Sequence, residues 1–502
     1  MVANDGGLSE HPIDAIRSAA LERATELGCS RAELRIEQIR TQVVAMRDAK
    51  VEGTVDDRAL GMGLRVIHDG AIGFAGTVAL TPDDGRRLAD LAVGAAKATA
   101  LAGGERVELA DEPSHGTVDW TASYKIDPTT VPLSDRVARL EAWSTDLLSA
   151  TAVDHVTATL MSVSEHKYYA DTSGTTTTQH RVRLHPSLEA LSVGDGSSSF
   201  ETMRTAAPPV GRGYEYLDGD GWDFPAELAE IPSLLEEKMH SPSVEPGMYD
   251  LVIDPTNLWL TIHESVGHAT ELDRALGYEA AYAGTSFATF DKLGKLRYGS
   301  ELMHVTGDRT ATYGLASVGY DDEGVAAQSF DLVRDGILVG YQLDRRIAKR
   351  QGLGRSNGCA FADSPLNIPI QRMANVSLQP GSSDGPTTQD LISGIEHGIY
   401  IVGDKSWSID MQRYNFQFTG QRFFRIENGR IAGQLRDAAY QATTTDFWGS
   451  LRALGGKSTY LLCGAFNCGK GQPGQVAPVS HGCPAAVFEG VRILNTRAES
   501  GR

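Results

Sequence analysis

Residues 261–273 read TIHESVGHATELD, and the two histidines, His263 and His268, stand five positions apart in a segment that otherwise has the texture of a helix. On a regular α-helix, residues five apart point about 140° away from each other, whereas residues four apart differ by only about 40°. A straight helix therefore cannot offer both imidazoles to one ion. A single π-type bulge absorbs one added residue and realigns positions i and i+5, and Gly267, just before His268, eases such a distortion. The stretch is one residue longer than H-E-x-x-H, in which two histidines share a metal and the intervening Glu serves as base. The spacing thus predicts a strand at 249–253, a turn at Asp254-Pro255, and a distorted helix presenting His263 and His268 as metal ligands with Glu264 as general base.

Catalytic zinc takes three protein ligands and keeps one position open. The candidate for the third is Cys468 in FNCGKGQPGQ, where Gly469, Gly471 and Gly474 permit an unusual backbone that aims the sulfur inward. Other arrangements stay open at this point. Cys463, Cys468, Cys483 and His481 could form a separate structural zinc site. The third ligand could instead be a downstream Glu, as in the dipeptidyl peptidases whose zinc helix carries an inserted residue. The chain could also be a catalytically weak or inactive scaffold, or the cysteines could serve a redox role. His481, Arg413 and Tyr414 are candidates by residue type alone for steadying an oxyanion.

The rest of the chain reads as an α+β protein of several domains, since 502 residues exceed what one core usually serves. Residues 13–28 form an amphipathic helix stopped by glycine, and two alternating runs follow, with Asp69-Gly70 as a hairpin turn. Thr81-Pro82-Asp83-Asp84 then opens a second helix with Thr81 as N-cap and Asp84 placed for a capping box. A polar linker at 103–116 leads to a helix at about 132–150 and two Thr/Val-rich strands flanking Thr172-Ser173-Gly174. A short helix and a proline-bearing connector occupy 225–247. Beyond it come short strands with tight turns at Asp335-Gly336 and Asn428-Gly429. We expect N-terminal helix and antiparallel-sheet domains at 1–110 and 111–242, then a β-rich domain at 243–502 that carries the zinc-binding helix. Tyr414, Phe416 and Phe418 alternate as in a strand that buries one face, or that walls a peptide channel.

A net charge of -19 without a basic block speaks against nucleic-acid binding. No window reaches the roughly 18 apolar residues of a membrane span, and the first twenty residues lack a basic, then apolar, leader. A cytoplasmic protein with reduced thiols is expected, its five cysteines fitting metal ligation better than a disulfide framework.

Several stretches together resemble the TldD/PmbA metalloprotease family, on its TldD side: HESVGHATELD, Gly284-Thr285-Ser286, GYDDEGVAAQSFDLVRDGILVGYQLDRR, RMANVSLQPG and NCGKGQ, in that order. The resemblance implies a zinc peptidase holding Zn2+ on His263, His268 and Cys468, with Glu264 as general base. It implies a heterodimer with a TldE/PmbA-like partner that lacks the H-E-x-x-x-H motif. It also implies unfolded or extended peptides as substrates, in leader-peptide trimming or peptide degradation. The sequence departs from the enterobacterial pattern after Lys470 and across residues 405–418, so the particular substrate is not carried over.

Overall fold

The computed structural model describes residues 7–103, 105–194 and 200–499. The first six residues, on which part of the expectation about a leader rests, and Gly104 of the expected linker lie outside them. The first α-helix is α1 (Ile13–Glu26), followed by Gly28 at a φ of 84°. Three strands come next, β1 (Arg31–Arg47), β2 (Lys50–His68) and β3 (Ala71–Thr77), and then α2 (Pro82–Leu101). The β2–β3 turn puts Asp69 and Gly70 both at positive φ, 50° and 78°, the tight hairpin geometry that an Asp-Gly pair favours. At the start of α2, Thr81 caps by accepting from the Asp84 amide. The capping box is only half formed, because the Asp84 carboxylate takes the Thr81 hydroxyl at 2.6 Å and not its backbone N–H.

The next stretch supplies β4 (Thr117–Thr121), α3 (Leu133–Leu148), β5 (His155–Asp171), β6 (Thr176–Val193), β7 (Phe200–Arg204) and α4 (Phe224–His240). Its strands join those of the first stretch in one seven-stranded sheet of order β3-β2-β1-β5-β6-β4, with β7 beside β6. All pairings are antiparallel except β4 with β6. One face of this sheet is apolar. Leu34, Ile36 and Leu64 pack against α1 and α2, and Val44, Leu160 and Leu188 pack with residues of α3 and α4.

The other face is charged and yet buried, because a strand turns alternate side chains to opposite sides. Glu33, Arg35 and Glu37 of β1, Arg65 of β2, Glu165 and Lys167 of β5, and Arg181 and Arg183 of β6 line it. The loop Asp321-Asp322-Glu323 of the C-terminal half plugs this face. Asp322 bonds Arg35 at 3.0 Å and Lys167 at 2.7 Å, and Glu323 bonds Arg65 at 2.6 Å. Asp321 folds the loop itself, accepting from the amides of Glu323 and Val325 at 2.9 Å.

In the C-terminal half, β8 (Gly247–Ile253) and the strands His397–Ile409, Asn415–Glu427, Ala438–Thr443 and Ala486–Asn495 close into a five-membered ring. Phe416 and Phe418 are buried with Tyr440 and Phe447, so this stretch is a core strand, while Trp407 upstream is exposed. The expected hairpins at Asp335-Gly336 and Asn428-Gly429 are present, each with both turn residues at positive φ. A two-stranded hairpin, Leu461–Lys470 with Gln475–Cys483, packs beside α5 (Pro255–Ile262), the helix that follows β8. The protein is thus α+β, with helices on an N-terminal antiparallel sheet and a β-rich C-terminal half that carries the histidine helix. Among the described residues, no helix is long and apolar enough to cross a membrane.

Candidate metal centre

The helix that carries the histidines starts cleanly and then distorts. Asp254 caps α5 by accepting from the Thr256 amide at 3.0 Å, and Pro255 occupies the first helical position, where a missing N–H costs nothing. Asn257 and Thr261 tie the helix to the barrel through the Tyr440 hydroxyl, at 2.9 and 2.7 Å. At His263 the winding loosens into a π-helical turn through Gly267, then tightens for His268–Thr270. The bulge does what the five-residue spacing required. Imidazoles that a regular helix would splay apart have ring centres 4.7 Å apart.

A second one-residue insertion delivers the cysteine. In the hairpin, Cys463 faces His481, Ala465 faces Val479, and Cys468 faces Ala477, so the register slips by one between Ala465 and Cys468. That β-bulge puts Cys463, Ala465 and Cys468 on one face. Without it, Cys468 would point away from the helix. With both bulges in place, the ligand atoms of His263, His268 and Cys468 all lie within 4.8 Å of one another, and all three residues are buried. Among the described residues, Cys463, Cys483 and His481 join no such group.

The surrounding hydrogen bonds fix which nitrogens are free. His481 Nδ1 donates to the Val376 carbonyl at 2.9 Å, so its Nε2 must accept, and His263 Nδ1–H donates to it at 2.7 Å. His263 therefore keeps Nε2 as a bare lone pair. His268 Nδ1 likewise donates to Glu271 at 2.8 Å, leaving Nε2 as an acceptor that faces the Cys468 thiol at 3.6 Å. Such outer partners set the tautomer of ligating histidines and raise their basicity. Burial alone would raise the Glu271 carboxyl, but Lys470, His268 and Arg274 together hold it well below its usual range. Burial lowers the pKa of His263 and His268, which favours the neutral imidazoles that ligands must be, and does the same for the supporting His481. It also pushes the Cys468 thiol up to about 11, against the pull of Arg372, whose guanidinium reaches the sulfur at 3.2 Å. Two imidazole nitrogens and a sulfur that face one another in a buried pocket are a donor set that fits a zinc ion.

Glu264 is buried beside the cluster and pairs with Arg413. The sequence reading brought together His263, Glu264, His268 and Cys468 but did not find their supports. Lys470 bridges Glu271 and Asp273 at 3.0 and 2.8 Å, tying the strand of the cysteine to the end of the histidine helix. The signals were present in the sequence: Glu271 lies three residues after His268, and Lys470 lies two after Cys468 on a strand, the same-face spacing in each case.

A buried His-His-Cys cluster on a bulged helix, with a carboxylate next to it, has the parts of a metal-dependent hydrolase, and relatives name the class. A family model described as the PmbA/TldA metallopeptidase C-terminal domain matches residues 246–495, and one for domain 1 of the same proteins matches 32–96. The chain belongs to the TldD/PmbA family, and it is a metalloprotease. A metalloprotease of Methanothermobacter thermautotrophicus is 29% identical over 469 residues, covering 92% of this chain and 94% of its own length. A zinc metalloprotease TldD homolog of Saccharolobus solfataricus is 26% identical over 481 residues, covering 92% and 96%. Among solved structures, TldE from Thermococcus kodakarensis superimposes with a TM-score of 0.69 at 16% identity, over 95% of this chain and 99% of its own. A Thermotoga maritima protein described as a candidate modulator of a DNA gyrase gives 0.75 at 14%, over 96% and 100%. At such identities these two likenesses speak to the fold alone.

Proposed function

We propose that this chain is a TldD-type catalytic subunit, a zinc peptidase that cleaves extended, unfolded peptides with Glu264 as general base. The observation that carries this is the convergence of His263, His268 and Cys468 within 4.8 Å, with the tautomers of both histidines set for ligation. Two imidazoles and a thiolate are a donor set that suits zinc, and the Saccharolobus relative is named for zinc. When bound, zinc supplies a water acidified to near neutrality and polarises a carbonyl. Glu264 adjoins a ligand but is not part of the ligand cluster. It accepts the water proton as oxygen adds to the peptide carbonyl, and passes it to the leaving amine.

The strand Leu461–Lys470, which bears Cys468, pairs only with Gln475–Cys483, so its second edge is free of strand partners among the described residues. An extended peptide added along that edge would be held through its backbone next to the cluster. We further propose a TldE/PmbA-like partner without the histidine motif, on the strength of the family resemblance, and residence in the cytoplasm, which suits five free cysteines.

Metal analysis and peptide cleavage test the core of this together. His263→Ala, His268→Ala and Cys468→Ala should each lose zinc sharply, and Cys463→Ala and Cys483→Ala should keep it. Glu264→Gln should keep zinc while turnover falls by about two or more powers of ten. Full zinc in the Cys468 variant, or undiminished cleavage by Glu264→Gln, would sink the assignment. Copurification tests the partner, and high activity from the isolated chain would argue against one.

A further inference from the structure

Three residues were open by type for the oxyanion, and the structure separates them. His481 spends both ring nitrogens on Val376 and His263 and has none left to donate. The Tyr414 hydroxyl meets Thr445 at 3.2 Å while its ring packs on Phe287. Arg413 alone reaches the reacting end of the site. Its Nη1 pairs with Glu264, and its Nε is buried with no hydrogen-bond partner among the described residues.

The backbone under Arg413 is built to hold it there. Arg413 sits at a φ of 63°, in the tip that joins His397–Ile409 to Asn415–Glu427. A non-glycine residue in this region is uncommon and persists where its surroundings over-determine it. Asp410 gathers the tip by accepting from the amides of Gln412, Tyr414 and Asn415 at 3.0, 2.9 and 3.0 Å. Thr444 grips it from one side, donating to the Arg413 carbonyl at 2.8 Å. The amides of Thr285 and Phe287 grip it from another, donating to Met411 and Gln412 at 2.8 and 2.9 Å. Gly284 lets this segment come close, since a Cβ there would lie 2.0 Å from the Met411 carbonyl oxygen.

We propose that Arg413 is a catalytic residue that donates to the oxyanion formed at the scissile carbonyl, a role that rests on reading the site as a water-activating peptidase. As the water oxygen bonds to the carbonyl carbon, the C=O π pair moves onto the carbonyl oxygen and the proton goes to Glu264. Collapse returns that pair, breaks the C–N bond and sends the proton to the departing nitrogen. The substrate carbonyl is neutral and the intermediate carries a full negative charge on that oxygen, so a fixed guanidinium favours the intermediate over the bound substrate. The unpaired Nε–H costs free energy in the resting protein, and it is a donor already stripped of water where that charge develops.

The test compares zinc-loaded wild type with Arg413→Met, Arg413→Lys and Arg413→Ala, using a phosphinic peptide, which mimics the tetrahedral anion, and the same peptide with an N-methylated, uncleaved scissile bond, whose carbonyl is neutral. Zinc content should stay at the wild-type level. In Arg413→Met, kcat should fall about 10²–10³-fold with little change in KM, and phosphinate affinity should fall by a comparable factor while affinity for the neutral peptide holds. Added guanidinium ion should restore part of the phosphinate affinity in Arg413→Ala, which a purely structural arginine would not permit. Undiminished phosphinate affinity in both Arg413→Met and Arg413→Lys would overturn the proposal. Glu264→Gln, measured in parallel, separates the two failures. If it loses turnover while the Arg413 variants still bind phosphinate normally, only the role of Arg413 falls; if it cleaves normally, both fall.

Discussion

At the scale of single residues, the site depends on groups that touch no metal. His481 is the sharpest case, since its one accepting nitrogen obliges His263 to present Nε2. His481→Phe removes the acceptor and should weaken zinc binding by about 10–100-fold. His481→Gln, which can still accept, should recover part of the loss in a competition titration with a chelator; equal losses in both variants would count against the tautomer role. Sequence made the candidate ligand types legible because histidine, cysteine and glutamate are rare enough together to stand out. It left His481 ambiguous, because one hydrogen bond to a backbone carbonyl decides whether an imidazole is ligand or support, and no residue pattern records that bond.

At the scale of elements, one extra residue in the helix and one in the strand make the cluster. The first was readable, since the five-residue spacing could be reconciled with a shared ion only by a π turn. The second was not. A β-bulge shows only as a register slip against its partner strand, and the partner of residues 461–470 lay beyond what alternation could reveal. Each insertion can be undone separately. Deleting Val266 returns the histidines to regular helical spacing against supports built for the bulge, and deleting the exposed Asn467 turns Cys468 to the opposite face. Both deletions should abolish stoichiometric zinc while far-ultraviolet circular dichroism stays close to wild type, and the double deletion should not restore it. Gly267 marks a tight approach, because a Cβ there would meet Met373 Sδ at 2.6 Å in a filled core. Gly267→Ala should cost about 1–3 kcal/mol in urea unfolding, and an unchanged midpoint would show that Met373 swings aside freely.

At the scale of the whole molecule, the charged face of the N-terminal sheet and the acidic loop of the C-terminal half form one buried ionic assembly. Removing a single member leaves its partners charged and dry, so Asp322→Ala should cost about 3–5 kcal/mol. The variant should still unfold in one transition, since neither half has an alternative cover for these groups. The same sheet holds two histidines that resist protonation: burial and then His166 bring His180 down to about 4, and burial and then Arg204 do the same for His185. Because both folded values lie below the ordinary 6.5, the unfolded chain binds protons that the fold refuses between about pH 6.5 and 4. Stability should therefore decline as pH falls through that window, and His180→Gln and His185→Gln should each flatten the urea midpoint against pH; parallel curves would contradict the assignment. The alternation along β1 was visible in the sequence, and β5 and β6 read as Thr/Val-rich strands, but the destination of the polar side was not legible, because a charged strand face ordinarily means solvent. The acidic loop carries a further consequence for how such chains diverge. Asp322 and Glu323 on one half are matched by Arg35, Lys167 and Arg65 on the other, so a charge lost on either side exposes its counterpart to selection. Halves exchanged between distant relatives would meet as mismatched locks, and changes on the two sides of this junction should accumulate in compensating pairs.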